Sequence, residues 1–580
     1  MKSFLRRFSF LLTASLLAVA ACSDDDDPAG PSLNPPLGLQ VTAQGASVIR
    51  VSFTSTAGDD SYIIERAEGA AGTFAQVHTA AAPATAGLVT YDDGGLAPQT
   101  VYRYRVKAVR GSSESAYTAE QSVTTGAAGV STKDVTGDIT TSTTWYADTT
   151  YILKGFIHVA NGATLTIQPG TTIKGDTLGA SLFVLRGAKI MAQGTPAAPI
   201  VFTSTRPVGQ RQPGDWGGLI IVGNATLNRT GVDIELEGTN TVSGSASGTN
   251  YQVLYSGGTT DSDNSGVLRY VRVEFAGYAP SLNAELNAFT FAAVGSGTQL
   301  SHLQVMAGLD DSFEWFGGTA DATHLVSYES GDDHFDMSEG YRGRLQYLIA
   351  LQSARLTPRT GAGSASSDPQ GIENDGCEGA GCTQGRNSTP FNTPVVANFT
   401  LVGTNDVATS GSSGGVGMML RRGTGGWYVN GLISRWPRAA ISLRDGETYV
   451  RAGSTPTPDL ATADLAIRGV LVAESPVVFQ TGGSSTQNSL DLAGNGITQE
   501  AATTSSLLTA FPATITSSTT EAAFDWTPVS GSAAASGGLA TFTGKLQTAA
   551  GSFVTGTAYR GAAEPGGAKW WQGWTSYAQR

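Results

Sequence analysis

Gly162-Ala163-Thr164-Leu165-Thr166-Ile167 returns 25 residues later as Gly187-Ala188-Lys189-Ile190-Met191-Ala192. In both copies a Gly-Ala turn leads into a short run whose apolar side chains alternate, so one face of the run is turned inward. Leu303-Gln304-Val305-Met306-Ala307-Gly308, Leu325-Val326-Ser327-Tyr328-Glu329-Ser330 and Leu345-Gln346-Tyr347-Leu348-Ile349-Ala350 continue the pattern at spacings of 22 and 20. Related runs occupy 270–275, 396–401 and 429–433. Short β-branched strands with a period of 20 to 25 residues, joined by turns rich in Gly, Asn, Thr and Asp, are what the coils of a parallel β-solenoid require. One coil cannot bury its own inner face, and stacking on the next coil does. Leucine-rich repeats share the period but carry a regular asparagine-bearing consensus, which is absent. No stretch sustains a 3.6-residue apolar period, so few helices are predicted.

The wider context sharpens this reading. Gly162-Ala163-x-Leu165-x-Ile167-x-Pro169-Gly170-Thr171-x-Ile173, Gly194-Thr195-Pro196-x-x-Pro199-Ile200-x-Phe202-Thr203-Ser204, Trp216-Gly217-Gly218-Leu219-Ile220-Ile221 and Glu314-Trp315-Phe316-Gly317-Gly318 together resemble the right-handed, pectate-lyase-like parallel β-helices of bacterial surface proteins. The resemblance runs from about Thr132 to the C-terminus and implies fold far more than function. Two stretches interrupt the coils, near 228–266 and 357–394, and insertions in a solenoid leave as loops on one face, commonly the binding face.

Ahead of this body, 35–126 reads as short alternating strands. Leu96-x-Pro98-x-Thr100-x-Tyr102-x-Tyr104-Arg105-Val106-x-Ala108 resembles the fibronectin type III family, including a tyrosine placed for the corner hydrogen bond of such sandwiches. Phe53 stands where that family has a buried Trp. The predicted fold class is therefore all-β: a fibronectin type III-like sandwich, then a long right-handed parallel β-helix over 132–580. The sandwich implies a spacer.

The first 21 residues carry Lys2, Arg6 and Arg7, then an apolar run from Phe8 to Ala21, the pattern of a secretory signal. Val19-Ala20-Ala21-Cys22 resembles the lipobox of bacterial lipoproteins, which implies acylation of Cys22 and export to the outer membrane or cell surface. Ser23 directly after the cysteine resembles the outer-membrane sorting pattern. The 22–34 stretch holds four adjacent aspartates, Asp24 to Asp27, followed by Pro, Gly and Ser, and reads as a solvated tether.

The chain has 35 basic and 48 acidic residues, a net charge of −13. Removing the signal takes away three bases and no acids, leaving −16. Such a charge excludes nucleic acid and anionic lipid as the main surface partner. Beyond Cys22 only Cys377 and Cys382 remain; in an oxidising compartment this short pair reads as a disulfide, and without a nearby His it makes a poor zinc site.

The main site candidate is a repeated acidic motif. Asp310-Asp311-Ser312-Phe313-Glu314 returns 22 residues on as Asp332-Asp333-His334-Phe335-Asp336. Equivalent residues one coil apart lie about 5 Å from each other. Asp310, Asp311, Glu314, Asp332, Asp333 and Asp336 thus form a predicted metal site, and six hard oxygen donors suit Ca²⁺. Asp321, Glu339, Glu373, Asn374 and Asp375 are further candidates for the same face. Catalysis is the competing use, with Asp310, Asp311, Asp332 and Asp333 as a carboxylate set for glycoside hydrolysis. The Gly-His-Gly and Arg-x-Lys companions of β-helix polygalacturonases are missing, His302, His324 and His334 lie in other contexts, and Arg421, Arg422, Arg435, Arg438 and Arg444 form no lyase signature. A structural ladder of turn aspartates is the third reading. Asp261-Ser262-Asp263-Asn264-Ser265-Gly266 lacks the Glu that would complete an EF-hand and reads as a turn. Trp570-Trp571-Gln572-Gly573-Trp574 reads either as an aromatic cap on the last coil or as a sugar-stacking platform.

These observations leave three functions open. The first is a non-catalytic, calcium-stabilised surface module that binds a polysaccharide or surface protein. The second is a polysaccharide hydrolase or lyase, and the third a self-associating envelope or appendage subunit.

Overall fold

The computed structural model describes residues 33–126, 131–239, 252–279, 284–483 and 485–577. The signal segment, Cys22, most of the tether and part of the first insertion (240–251) lie outside the described residues. No helix among the described residues is long and apolar enough to cross a membrane. The chain divides into two compact units: one built on strands between Leu37 and Thr124, the other comprising 126 onward together with 45–48 and 94–99.

The first unit is an antiparallel sandwich. Leu37–Ala43, Ile49–Thr54 and Leu88–Asp93 form one sheet in that order. In the other, Ser61–Glu68 lies between Ala75–Ala81 and Val101–Arg110, and Val101–Arg110 also pairs with Gln121–Thr124. Alternation along Val101–Arg110 buries Tyr102, Tyr104, Val106 and Ala108. Phe53, in the position of the family's Trp, meets Tyr62 edge-on at 5.0 Å and keeps the core apolar. The Tyr104 hydroxyl donates to Asp93 at 2.8 Å, and Asp93 also accepts from Arg66 at 2.9 Å. Tyr104→Phe is expected to lower the stability of this unit by about 1–2 kcal/mol, because a charge-assisted bond is lost while the arginine still holds the carboxylate. Urea denaturation of the excised sandwich would check this, and an unchanged midpoint would refute it.

The second unit is a parallel β-helix. Its strands collect into a long sheet of 17 strands and a separate sheet of 10, paired in parallel almost throughout. Strands such as Gln299–Gly308 and Asp321–Ser330 bend at one residue, dividing the long sheet into two flat faces; the ten-stranded sheet is the third. The bend is a left-handed residue in coil after coil: Tyr270, His302, His324, Tyr347, Asn398 and Asn430, with φ between 50° and 66°. Gly469 takes the same place with no side chain to strain. At the Tyr and His positions ring stacking offsets the strain, with centroids 4.4 Å apart for Tyr270–His302 and for His302–His324, and 4.9 Å for His324–Tyr347.

Inside the prism, equivalent apolar side chains stack from coil to coil. Phe289, Phe313 and Phe335 lie 5.2 and 5.4 Å apart, and Phe291 packs on Trp315 at 5.4 Å. Outside, two faces are covered by the segment 504–577. Phe511, Phe524, Trp526, Trp571, Trp574 and Tyr577 pack on Val326, Tyr328, Ile349, Leu351 and Val402, while the short helix Gly544–Ala550 covers Val395, Ala397 and Trp427. Polar ties fix the segment: Gln304 donates to the Ser576 carbonyl at 2.6 Å, and Trp526 donates to the Tyr328 hydroxyl at 3.0 Å. The two readings of the tryptophan cluster are thereby corrected. Trp571 and Trp574 are buried against the flank of coils near 275–328, neither capping the last coil at Thr498–Glu500 nor presented to solvent. The apolar outward residues of that flank are what demand the cover.

Candidate functional site

The third face changes character along its length, and register shows where. One outward column reads Phe183, Ile220, Thr290, Glu314, Asp336, Glu373, Met419. Its first members are covered by the first insertion, whose Leu227, Ile234, Leu236, Val253 and Tyr255 pack with Phe183 and Ile220. The three middle rungs carry carboxylates. Phe313 pairs with Phe335 and Glu314 with Asp336, the register that the sequence repeat implies. Strand alternation then sends each Phe inward and each acid outward.

Around this column the chain builds an acidic cleft of about 510 Å³. The turns entering the short strands supply Asp310, Asp311 and Asp332; the first insertion brings Glu237, and Glu285 lies beside it. The 364–367 loop forms one wall, and Asp375, Gly376 and Glu378 lie beyond Glu373. Among the described residues, eleven carboxyl groups line the cleft against two guanidinium groups, those of Arg421 and Arg422. The walls are tied together. Cys377 and Cys382 are bonded to each other, with Cα atoms 5.9 Å apart, and the loop they close hydrogen-bonds to Thr230 and Arg229 of the first insertion. Arg229 also pairs with Glu339, which accepts from the Tyr255 hydroxyl at 2.9 Å.

Backbone amides hold several of the acids in place. Asp311 accepts from the amide of Asp333 at 2.8 Å, and Asp333 from that of Gln370 at 2.5 Å. Arg421 pairs with Glu373 and, at 2.8 Å, with Asp375; Arg422 pairs with Asp375 and Glu378. By contrast, Oδ1 of Asp332 and Oδ1 of Asp336 are buried and meet no hydrogen-bond donor among the described residues.

The energetic cost shows in proton affinity. Burial, with the neighbouring acids adding to it, holds Asp310, Asp311, Glu314, Asp333 and Glu373 well above the usual carboxylate range. Burial likewise raises Asp332 to about 7, and Asp336 and Glu237 to about 8. Arg421 is shifted upward by Glu373 and Asp375, against the opposing effect of its burial. Such groups share protons or bind a cation, since bare carboxylates at this density repel. The donor set fits a hard divalent ion: Asp310, Asp311 and Asp332 place carboxylate oxygens within 4.8 Å of one another, as do Asp311, Glu314 and Asp336, and Asp333, Asp336 and Glu373.

All six acids of the sequence motif therefore gather at one place. Glu339, Glu373 and Asp375 join them. Asp321 does not, being held by Arg344 at the edge of another face. Asn374 is also corrected: alternation turns it inward, where it bonds to Tyr428 and Asn392. His334 is interior, bonded to Ser327 at 2.6 Å, and His302 and His324 stand in the corner stack. Of the five arginines only Arg421 and Arg422 line the cleft; Arg438, for one, holds backbone carbonyls of Gly414 and Ser412. Asp261 and Asp263 accept from Thr226 and Asn224 in a turn elsewhere. Glu237 and Glu285 escaped sequence reading, because no repeat marks them.

Two solved structures illustrate what the sandwich is similar to. FN3tt is 21% identical, with 16% of this chain and 94% of that one covered at a TM-score of 0.14. An Fn3-like protein from Clostridium thermocellum is 24% identical, with 16% and 91% covered at 0.14. No curated protein sequence is similar to the chain. Residues 137–509, well over half of the chain and all the coils that build the cleft, match the family described as a pectate-lyase-like β-helix domain. The chain belongs to the pectate-lyase-like β-helix family.

Proposed function

We propose that this protein is a lipid-anchored surface module whose third face binds a polysaccharide or other envelope ligand through divalent cations, calcium foremost, without cleaving it. The observation that carries the reading is the pair of buried carboxylate oxygens, on Asp332 and Asp336, left without donors in a cleft lined by eleven acids. A bare cleft of this charge repels an anionic chain and offers a neutral one few donors; bound cations turn it into a ligand site. Family membership supports a polysaccharide-related role. The lipobox-like Cys22, the tether and the sandwich support display away from a membrane.

Arg421 favours one alternative, a lyase with an arginine base beside the acids. Its two carboxylate partners bind its proton more tightly, which opposes that use.

Calorimetric titration of the ectodomain with calcium is expected to give saturable heat, with Kd on the order of 10⁻⁴ M or tighter. Asp332→Asn/Asp336→Asn should abolish it. A polysaccharide panel with and without calcium should then show calcium-dependent retention and no new chain ends. Unsaturated or reducing-end products would replace this reading by the lyase or hydrolase one, and absence of heat would refute the cation reading.

A further inference from the structure

We infer that the cleft is a two-cation site, a deepening that rests on the cation reading above. Two oxygens that bind one Ca²⁺ at 2.3–2.6 Å cannot lie more than about 5 Å apart. Three carboxylate triads meet that limit, all with oxygens within 4.8 Å of one another. Two of them share no residue: Asp310, Asp311 and Asp332 at the turns, and Asp333, Asp336 and Glu373 along the strands. The third, Asp311, Glu314 and Asp336, borrows one member from each.

The triads thus allow either a single ion, in the middle or at one end, or an ion at each end. The buried oxygens without donors decide between them. Asp332 belongs to the turn triad alone, Asp336 to the middle and strand triads, and no triad holds both, although each of the two carries a buried oxygen without a donor among the described residues. A single middle ion would satisfy Asp336 and leave Asp332 as it is. An ion at each end satisfies both. Charge argues the same way. Against eleven carboxyl groups and two arginines, one divalent ion leaves most of the repulsion in place, while two remove twice as much. Glu314 and Asp311 then stand between the ions, where carboxylates can bridge them. The strand subsite lies beside Arg421, which already holds Glu373, so it is expected to be the weaker of the two.

Calcium stoichiometry tests this directly. Calcium titrated into the chelator-stripped ectodomain should bind with two equivalents, and native mass spectrometry should show two adducts. Asp332→Asn and Asp336→Asn should each retain one equivalent. One equivalent in the native protein, lost in one of the two variants and untouched in the other, would mean a single ion and overturn the two-ion inference while keeping the cation reading. No binding by the native protein would overturn both. The native-protein count stands by itself should either variant fail to fold.

Discussion

Without calcium, the unfolding temperature of the β-helix is expected to fall as the pH rises from about 6.5 to 8.5, and added calcium should abolish the fall. The sign follows from the cleft. Asp332, Asp336 and Glu237 keep their protons up to about pH 7, 8 and 8 in the folded protein, against about 4 when unfolded. A carboxyl raised in this way contributes stability that is complete below the unfolded value and is lost as the pH climbs through the folded one. At about 1.4 kcal/mol per tenfold change in proton affinity, even a heavily coupled set amounts to several kcal/mol. The histidines work in the opposite sense at lower pH. Burial lowers His302 to about 4, and His324 and His334 to about 3, so stability gained from them rises with pH and is complete above about 6.5. Above that point only the carboxylates remain to be titrated. On the proposed cation reading calcium takes the place of the protons, so its stabilising effect should grow with pH. A flat profile in chelator between 6.5 and 8.5 would show that the acids are ionised without penalty.

Arg421→Met is expected to cost about 3–5 kcal/mol in calcium-free buffer at neutral pH, the usual penalty for removing one partner of a buried ion pair. Arg421 holds both Glu373 and Asp375 from the adjoining coil. Its loss leaves two acids facing Asp336, with Arg422 paired to Asp375 and Arg444 acting on Glu373 without an ion pair. The methionine keeps the aliphatic bulk, so the loss reports charge and not packing. Saturating calcium should recover much of the deficit, because the ion takes over the neutralising role. Denaturant titrations of both proteins with calcium and with chelator would settle it. Equal losses in the two buffers would mean that Arg421 and the ion act on different carboxylates.

Much of this arrangement was legible in the chain because a β-helix writes its stacking into its period. The 22-residue step from Asp310 to Asp332 is one coil, so the acids that align in sequence align in space. Other parts are set by long-range packing, which has no period. Glu237 reaches the cleft from an insertion folded back over the third face, and nothing near it in sequence announces that. Asn374 shows a different limit: adjacency to Glu373 in sequence does not give a shared orientation, since neighbouring residues of a strand face opposite ways. The tryptophans of 570–574 were placed at the wrong coil because an apolar cluster specifies that it must be covered, not by what.

The covering segment also has a bearing on how the molecule comes into being. Gln304 and Ser576 are joined across 272 residues, and Asn398 meets Thr557 across 159. Coils can stack in chain order, since each needs only its predecessor. Their apolar flanks cannot be sealed until the segment 504–577 arrives. A copy in which that segment has not yet docked therefore presents a greasy stripe to proteases and chaperones that the folded copy hides, so completeness is tested by folding itself.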